Sequence, residues 1–271
     1  METLRAYLRE GCRLPVWMDP ARVARAEAIF MHEGPLSCTL LFCASLPECY
    51  VPPQLAEVLH VAGQLEAHTE HRIRQTAAMV FPVMLKGGLT DPAGSGIAQV
   101  LKVRLIHATI RHLILHGDPE QMPGAVAARP QAGPSAGGHG ALYEALLAHG
   151  WDIGARGLPC NQFELAYTLL TFHYVFLRGM RTLGLGLAPA DEDAFLHAWN
   201  VVGHVLGVRD DLLPASYDDA AASFERMQAF GRAQTAEPDA RPGLGQALMQ
   251  AMAQAIRLPV IRGIPVPLCQ W

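Results

Sequence analysis

The segment that decides the fold runs from Leu101 to His116 and reads LKVRLIHATIRHLILH. It contains no proline or glycine, and its Leu, Ile and Val residues cover nearly the whole circumference of a helix. A helix that is apolar all round is normally buried. The segment therefore predicts a central helix from about Ile97 to Leu115, closed by Gly117 and Pro119.

The remaining sequence follows the same helical period, and alternating strand patterns are nearly absent. We therefore predict an all-α protein that forms a single domain over residues 1–271. The prolines of LPECYVPP, residues 46–53, predict an irregular stretch, and Pro82 predicts a kink or an early helix end. Further helices are expected at 20–31, 36–44, 54–64, 66–85, 161–183 and 190–206, with two more after residue 215. Asn161 is expected to cap the helix at 161–183, and Gly207 is expected to end the helix at 190–206. The Gly- and Pro-rich stretch 117–140 predicts a long loop.

Composition excludes several classes of protein. About half of the residues are apolar (51%) and the net charge is −4 without a basic cluster, which disfavours nucleic-acid binding. The six cysteines include no C-x-x-C pair and are typical of reduced thiols in a reducing compartment. The N-terminus lacks an apolar secretion signal and no apolar run is long enough for a membrane span. These features predict a soluble, cytoplasmic protein.

Three polar residues share one face of the central helix. Arg104, His107 and Arg111 are spaced i, i+3 and i+7. Buried guanidinium and imidazole groups need partners, because an unpaired buried charge is costly. A haem would provide them, since its iron binds a neutral imidazole and its propionates accept bonds from arginine. The alternative is a core histidine, with the arginines paired to carboxylates elsewhere in the fold.

A second polar row precedes that helix. Thr69, Arg72 and Thr76 also share a face, and opposite His107 they could hold dioxygen or water. The alternative is an ordinary solvated helix face. A di-iron site is disfavoured because it needs two Glu-x-x-His pairs, and only Glu57 with His60 has this spacing.

Several motifs occur in a recognisable order. They are LPECYVPP (46–53), Arg72-x-x-x-Thr76, KVRLIHATIR (102–111), NQFELAYTLL (161–170) and HAWNVVGHVLGVRDDLLP (197–214). In this order they resemble the oxygenase family that includes the latex-clearing rubber oxygenases and the mpaB-type ER-bound oxygenase. The resemblance is strongest over residues 30–215.

The resemblance implies an all-α fold with globin-like helices around a b-type haem, and dioxygen-dependent cleavage of an isoprenoid double bond. It implies that His107 is the proximal iron ligand and that Arg72 and Thr76 lie on the distal side. A glutamate before that pair is a base in the rubber oxygenases, and Glu57 is the nearest candidate, with Glu66 as a competitor. Arg104 and Arg111 are expected to hold the haem propionates.

One position departs from the family pattern. Gln75 stands where some rubber oxygenases carry a lysine that caps the iron, so we expect an open or water-bound haem. The substrate is expected to be a small hydrophobic alkene, such as a terpenoid, a quinone side chain or a lipid. Two alternatives are a haem-binding gas sensor or carrier without turnover, and a cofactor-free helical lipid-binding protein. The block 197–214 is interpreted as structural, with His197 and His204 as packing or hydrogen-bonding groups.

Overall fold

The computed structural model describes residues 2–63, 69–90, 95–117, 146–147 and 149–255. In these residues the chain is all-α without strands, which confirms the predicted fold class. The helices are α1 (Glu2–Gly11), α2 (Pro20–His32), α3 (Gly34–Leu40), α4 (Leu46–Glu48), α5 (Pro53–Gly63), α6 (Thr69–Met84), α7 (Ser95–Leu115), α8 (Ile153–Arg156), α9 (Gln162–Thr182), α10 (Pro189–Leu206), α11 (Tyr217–Ala233) and α12 (Arg241–Ala255).

Helix α9 lies at the centre of the core and packs against α3, α4, α10 and α11. Three of its aromatic rings stack on neighbouring helices. Tyr167 stacks on Phe224 with 5.4 Å between ring centroids, Phe172 on Trp199 at 5.2 Å and Phe176 on Phe195 at 4.5 Å. Such aromatic pairs bury large apolar areas, so they fix how α10 and α11 sit on α9.

The polypeptide around LPECYVPP differs from the prediction of an irregular stretch. A π-helical turn, Leu41–Ser45, leads from α3 directly into the short helix α4. Pro47 is the second residue of α4, which follows the π-helical turn directly, so a proline lies inside a continuous helical path. Glu48 then accepts hydrogen bonds from Arg178 (3.1 Å) and Gln228 (2.7 Å), so α4 ties α9 to α11. Helix α1 was not predicted.

The remaining helices mostly match the prediction. Helix α6 continues through Pro82 and ends at Met84, so Pro82 does not end it early, and the predicted kink stays a prediction. Asn161 caps α9 by accepting the backbone N–H of Glu164 at 3.0 Å, as the sequence predicted. The predicted loop at 117–140 lies outside the described residues, apart from Gly117.

Helices α6 and α7 pack closely against each other and carry most of the predicted site. The start of α7 packs closely against the turn that follows α6, and Gly96 is the residue at this contact. A Cβ atom at Gly96 would lie 2.3 Å from the carbonyl oxygen of Gly88, so only glycine permits this approach. The other side of α7 packs against α10. Helix α7 therefore contacts helices α6 and α10, but the prediction that it is buried all round is wrong. Leu105 and Ile106 in its middle are 40% and 44% exposed, because the described helices cover only part of its circumference.

None of the described helices is by itself long and apolar enough to cross a membrane. One bent pair, Pro20–His32 with Gly34–Glu48, passes the length and composition criteria jointly across a 90° bend.

Candidate functional site around His107

His107 lies in the middle of α7 as a half-buried residue. Its Nδ1 atom is buried and has no hydrogen-bond partner among the described residues. Burial, and to a smaller extent the charge of Arg111, lowers the pKa of His107 to about 4. The imidazole is therefore neutral near pH 7, which is the form that binds a metal ion. A neutral histidine whose ring nitrogen has no hydrogen-bond partner is suited to bind iron, so His107 fits the role of a haem ligand.

Arg111, one turn after His107, is bound to backbone rather than to a carboxylate. Its Nε atom donates to the carbonyl oxygen of Pro159 at 3.0 Å, and its Nη2 atom donates to that of Cys160 at 2.5 Å. These partners lie 48 and 49 residues further along the chain. The prediction that Arg111 holds a propionate is untested by these contacts and stays a prediction.

Cys160 and Glu164 surround the guanidinium of Arg111. Cys160 is buried with a left-handed φ of 51°, and burial raises the pKa of its thiol to about 12, so the thiol is not a nucleophile. Burial also raises the pKa of Glu164 to about 7, while backbone hydrogen bonds from Asn161 and Cys160 and the charge of Arg111 oppose the rise. Near neutral pH this end of the site therefore carries the positive charge of Arg111, which Glu164 balances only in part.

Arg104, one turn before His107, likewise contacts backbone. Its Nη1 atom donates to the carbonyl oxygen of Val205 at 3.0 Å, and its guanidinium lies 5.2 Å from the centre of the Tyr7 ring. Gly207, with φ of 91°, ends α10 and leaves room for this side chain, because a Cβ atom there would lie 3.2 Å from the guanidinium carbon. Gly207 therefore serves as a helix cap and as space for Arg104.

Glu57, the candidate base on α5, is a buried carboxylate with two charged or polar neighbours. Its Oε1 atom accepts from Arg156 at 2.6 Å and pairs with the Nε2 atom of His149 at 2.9 Å. Both partners come from the segment just before α9. The competing candidate, Glu66, lies outside the described residues.

Thr76 on α6 lines a narrow apolar cavity. The cavity is bounded by α2, α3, the π-helical turn and α9 through residues that are nearly all apolar: Phe30, Cys38, Leu41, Phe42, Leu46, Ala77, Val80, Phe81 and Phe172. Arg72 lies one turn before Thr76 on the same helix, and its side chain is outside the described part of the chain. The cavity has a volume of only about 10 Å³, which is about the space of one water molecule, so Thr76 lies beside a tightly packed apolar cluster.

Sequence reasoning overlooked His173 on α9. Its side chain is fully buried, and neither ring nitrogen has a hydrogen-bond partner among the described residues. Burial lowers its pKa to about 3. The flanking letters TFHYVF give a signal that could have found it, because a histidine inside an apolar run is expected to be buried. No group of three or more His, Cys, Asp or Glu side chains that could hold a metal ion occurs in the described ranges.

An all-α fold with a neutral histidine whose Nδ1 atom has no hydrogen-bond partner among the described residues defines a class of protein that could hold a haem through one protein ligand. Residues 39–269 match the family described as ER-bound oxygenase mpaB/B'/Rubber oxygenase, catalytic domain. The chain therefore belongs to this family, as the motif order predicted.

Two relatives make the similarity concrete. The chain is 26% identical over 227 residues to the rubber oxygenase of Streptomyces sp. (strain K30). The matched residues make up 83% of this chain and 47% of that protein. A solved structure of latex clearing protein LCP in the closed state has a similar fold, with a TM-score of 0.69 and 24% identity, over 93% of this chain and 58% of that one. This chain thus spans about half the length of the relatives that it matches.

Proposed function

We propose that this protein is a b-type haem-dependent oxygenase that uses dioxygen to oxidise or cleave an isoprenoid or another small alkene. The observation that carries the proposal is the neutral imidazole of His107, whose buried Nδ1 atom has no hydrogen-bond partner among the described residues, in a member of an oxygenase family. The rubber oxygenase among its relatives favours an alkene substrate.

His107 would be the protein ligand of the haem iron. When bound, the haem supplies the iron chemistry that activates dioxygen, and the chain supplies ligation, polarity and access. Arg72 and Thr76 would donate hydrogen bonds to dioxygen, which act as a preorganised field where negative charge develops. The apolar residues that pack around Thr76 would exclude water from that side of the site.

Glu57 would accept a proton from the substrate. Because Oε1 already accepts hydrogen bonds from Arg156 and His149, Oε2 is the oxygen through which Glu57 would act. A cytoplasmic location, which the sequence favours, is part of the proposal.

The test is the absorption spectrum of the protein expressed with haem precursor, compared with His107→Ala and with His112→Ala as a control on the exposed side of the same helix. We expect a Soret band in the wild type and in His112→Ala, and its loss or a strong shift in His107→Ala. Dioxygen consumption is then measured with isoprenoid alkenes of increasing length.

A colourless wild type that does not bind added haemin would overturn the proposal. A haem-bound protein that consumes no dioxygen with any alkene would instead identify a carrier or sensor.

A further inference from the structure

Residues 149–160, named the strap here, connect two of the candidate site helices. At one end His149 and Arg156 bind the carboxylate of Glu57 on α5. At the other end the carbonyl oxygens of Pro159 and Cys160 bind the guanidinium of Arg111 on α7. The strap therefore joins the helix of the candidate base to the helix of the candidate iron ligand.

The carbonyl end of the strap is fixed in place by its neighbours. Asn161 donates to the carbonyl oxygen of Leu158 at 2.9 Å while it caps α9. Cys160 adopts a left-handed conformation, which is unfavourable for a residue with a side chain. Such a conformation persists only where the surrounding structure requires it. Here it accompanies two consecutive carbonyl groups that both accept from Arg111.

The two carbonyl contacts use the planar donor geometry of Arg111. A guanidinium offers five N–H donors in a rigid plane, and Arg111 gives Nε and Nη2 to the strap. To bind a propionate with the same edge, Arg111 would have to give up both contacts and leave two backbone carbonyl groups without donors. Leaving partly buried polar groups unsatisfied is unfavourable.

We propose that Arg111 is a positioning residue that fixes the His107 helix through the strap, and that it is not an anchor of the haem carboxylates. His107 lies one turn before Arg111, so the two carbonyl contacts hold the turn of α7 that carries the imidazole. This inference rests on the proposed function, since it concerns how the histidine is presented to haem.

The experiment compares two probes that differ only in their carboxylates, haemin and haemin dimethyl ester. Dissociation constants of the wild type, Arg111→Leu, Arg111→Lys and Cys160→Gly are measured from the Soret band. Cys160→Gly is the matched control, because glycine adopts the left-handed conformation without strain and keeps both carbonyl groups.

We expect Arg111→Leu to weaken both probes by a similar factor of about tenfold, equivalent to about 1.4 kcal/mol. Its spectrum should also lose the signature of the wild-type histidine complex, with partial recovery in Arg111→Lys and wild-type behaviour in Cys160→Gly. Weaker binding of haemin alone, with an unchanged affinity for the dimethyl ester, would show that Arg111 binds the carboxylates and would overturn the inference. If circular dichroism shows that Arg111→Leu is unfolded, the loss of affinity for haemin is compared with the loss for the dimethyl ester in Arg111→Lys instead. The two outcomes are then interpreted in the same way.

A wild type that binds neither probe would overturn the proposed function separately. Amide hydrogen exchange of the haem-free protein then decides the positioning role. Faster exchange in α7 and in the strap of the Arg111 variant supports it, and unchanged exchange rejects it.

Discussion

At the scale of single residues, His173 is the least satisfied polar side chain of the described core. Both of its ring nitrogens are buried without a hydrogen-bond partner among the described residues. A buried hydrogen-bond donor or acceptor that has no partner lowers the stability of the fold by about 1–3 kcal/mol. Leucine has nearly the same volume as histidine and has no polar atoms. Replacing His173 by leucine therefore removes the unpaired polar atoms while the side-chain volume stays nearly the same.

We predict that His173→Leu raises the free energy of unfolding at pH 7 by about 1–3 kcal/mol. The gain should grow on acidification, because the unfolded chain takes up a proton near the ordinary pKa of 6.5 while the folded imidazole resists protonation down to a pKa of about 3. Urea denaturation at pH 7 and pH 5 measures this, with the exposed His112→Leu as control. A variant that is less stable at both pH values would contradict the prediction and indicate a functional partner for His173.

At the scale of helices, the start of α2 is attached to α10 by a neutral histidine. The backbone N–H of Asp19, the cap residue of α2, donates to Nε2 of His197 at 2.8 Å. Trp17 packs edge-on against the His197 ring, with 5.6 Å between centroids. Burial, followed by the charge of Arg22, lowers the pKa of His197, and the charge of Asp19 opposes this. The acceptor is therefore available only while His197 is unprotonated.

This arrangement predicts a pH dependence with a defined sign. Because the folded pKa of His197 lies below 6.5, its contribution to stability is complete above pH 6.5 and is lost as the pH falls through the folded pKa. His197→Gln keeps an acceptor that does not titrate, so we expect it to lose less stability than the wild type between pH 6.5 and pH 5. The change around His197 is followed by tryptophan fluorescence. The same measurement on proteins that also carry Trp17→Phe shows which part of the signal comes from Trp17. Identical acid profiles for wild type and His197→Gln would refute this role.

Most helix boundaries follow from local signals in the sequence. Asn161 predicted the start of α9 because its side chain caps a backbone N–H three residues away. Gly207 marked the end of α10, where a left-handed residue is needed. The helical turn at Leu46–Glu48 was missed because its stability comes from long-range bonds of Glu48 to α9 and α11, which no local pattern encodes.

At the scale of the whole molecule, a ligand that binds only the folded state stabilises it. Haemin at a hundredfold excess over its Kd should raise the free energy of unfolding of the wild type by about 2.7 kcal/mol. We therefore predict a higher Tm with haemin for the wild type and little change for His107→Ala, measured by circular dichroism. His112→Ala serves as the control and should respond like the wild type. An equal rise in Tm for His107→Ala would show that haemin binds elsewhere.

The sequence by itself determined the all-α class and the extent of most helices, because helical period is a property of consecutive residues. It did not determine how much of α7 is buried, since Leu105 and Ile106 are exposed although they belong to the apolar circumference of that helix. Only the tertiary structure decided the partners of the charged groups. Glu57 forms hydrogen bonds with residues 92 and 99 positions away in the sequence. Arg111 donates hydrogen bonds to carbonyl groups 48 and 49 positions away. Backbone carbonyl groups are the same in every residue, so a sequence cannot mark which of them will accept an arginine. That choice depends on how the strap packs across α5 and α7.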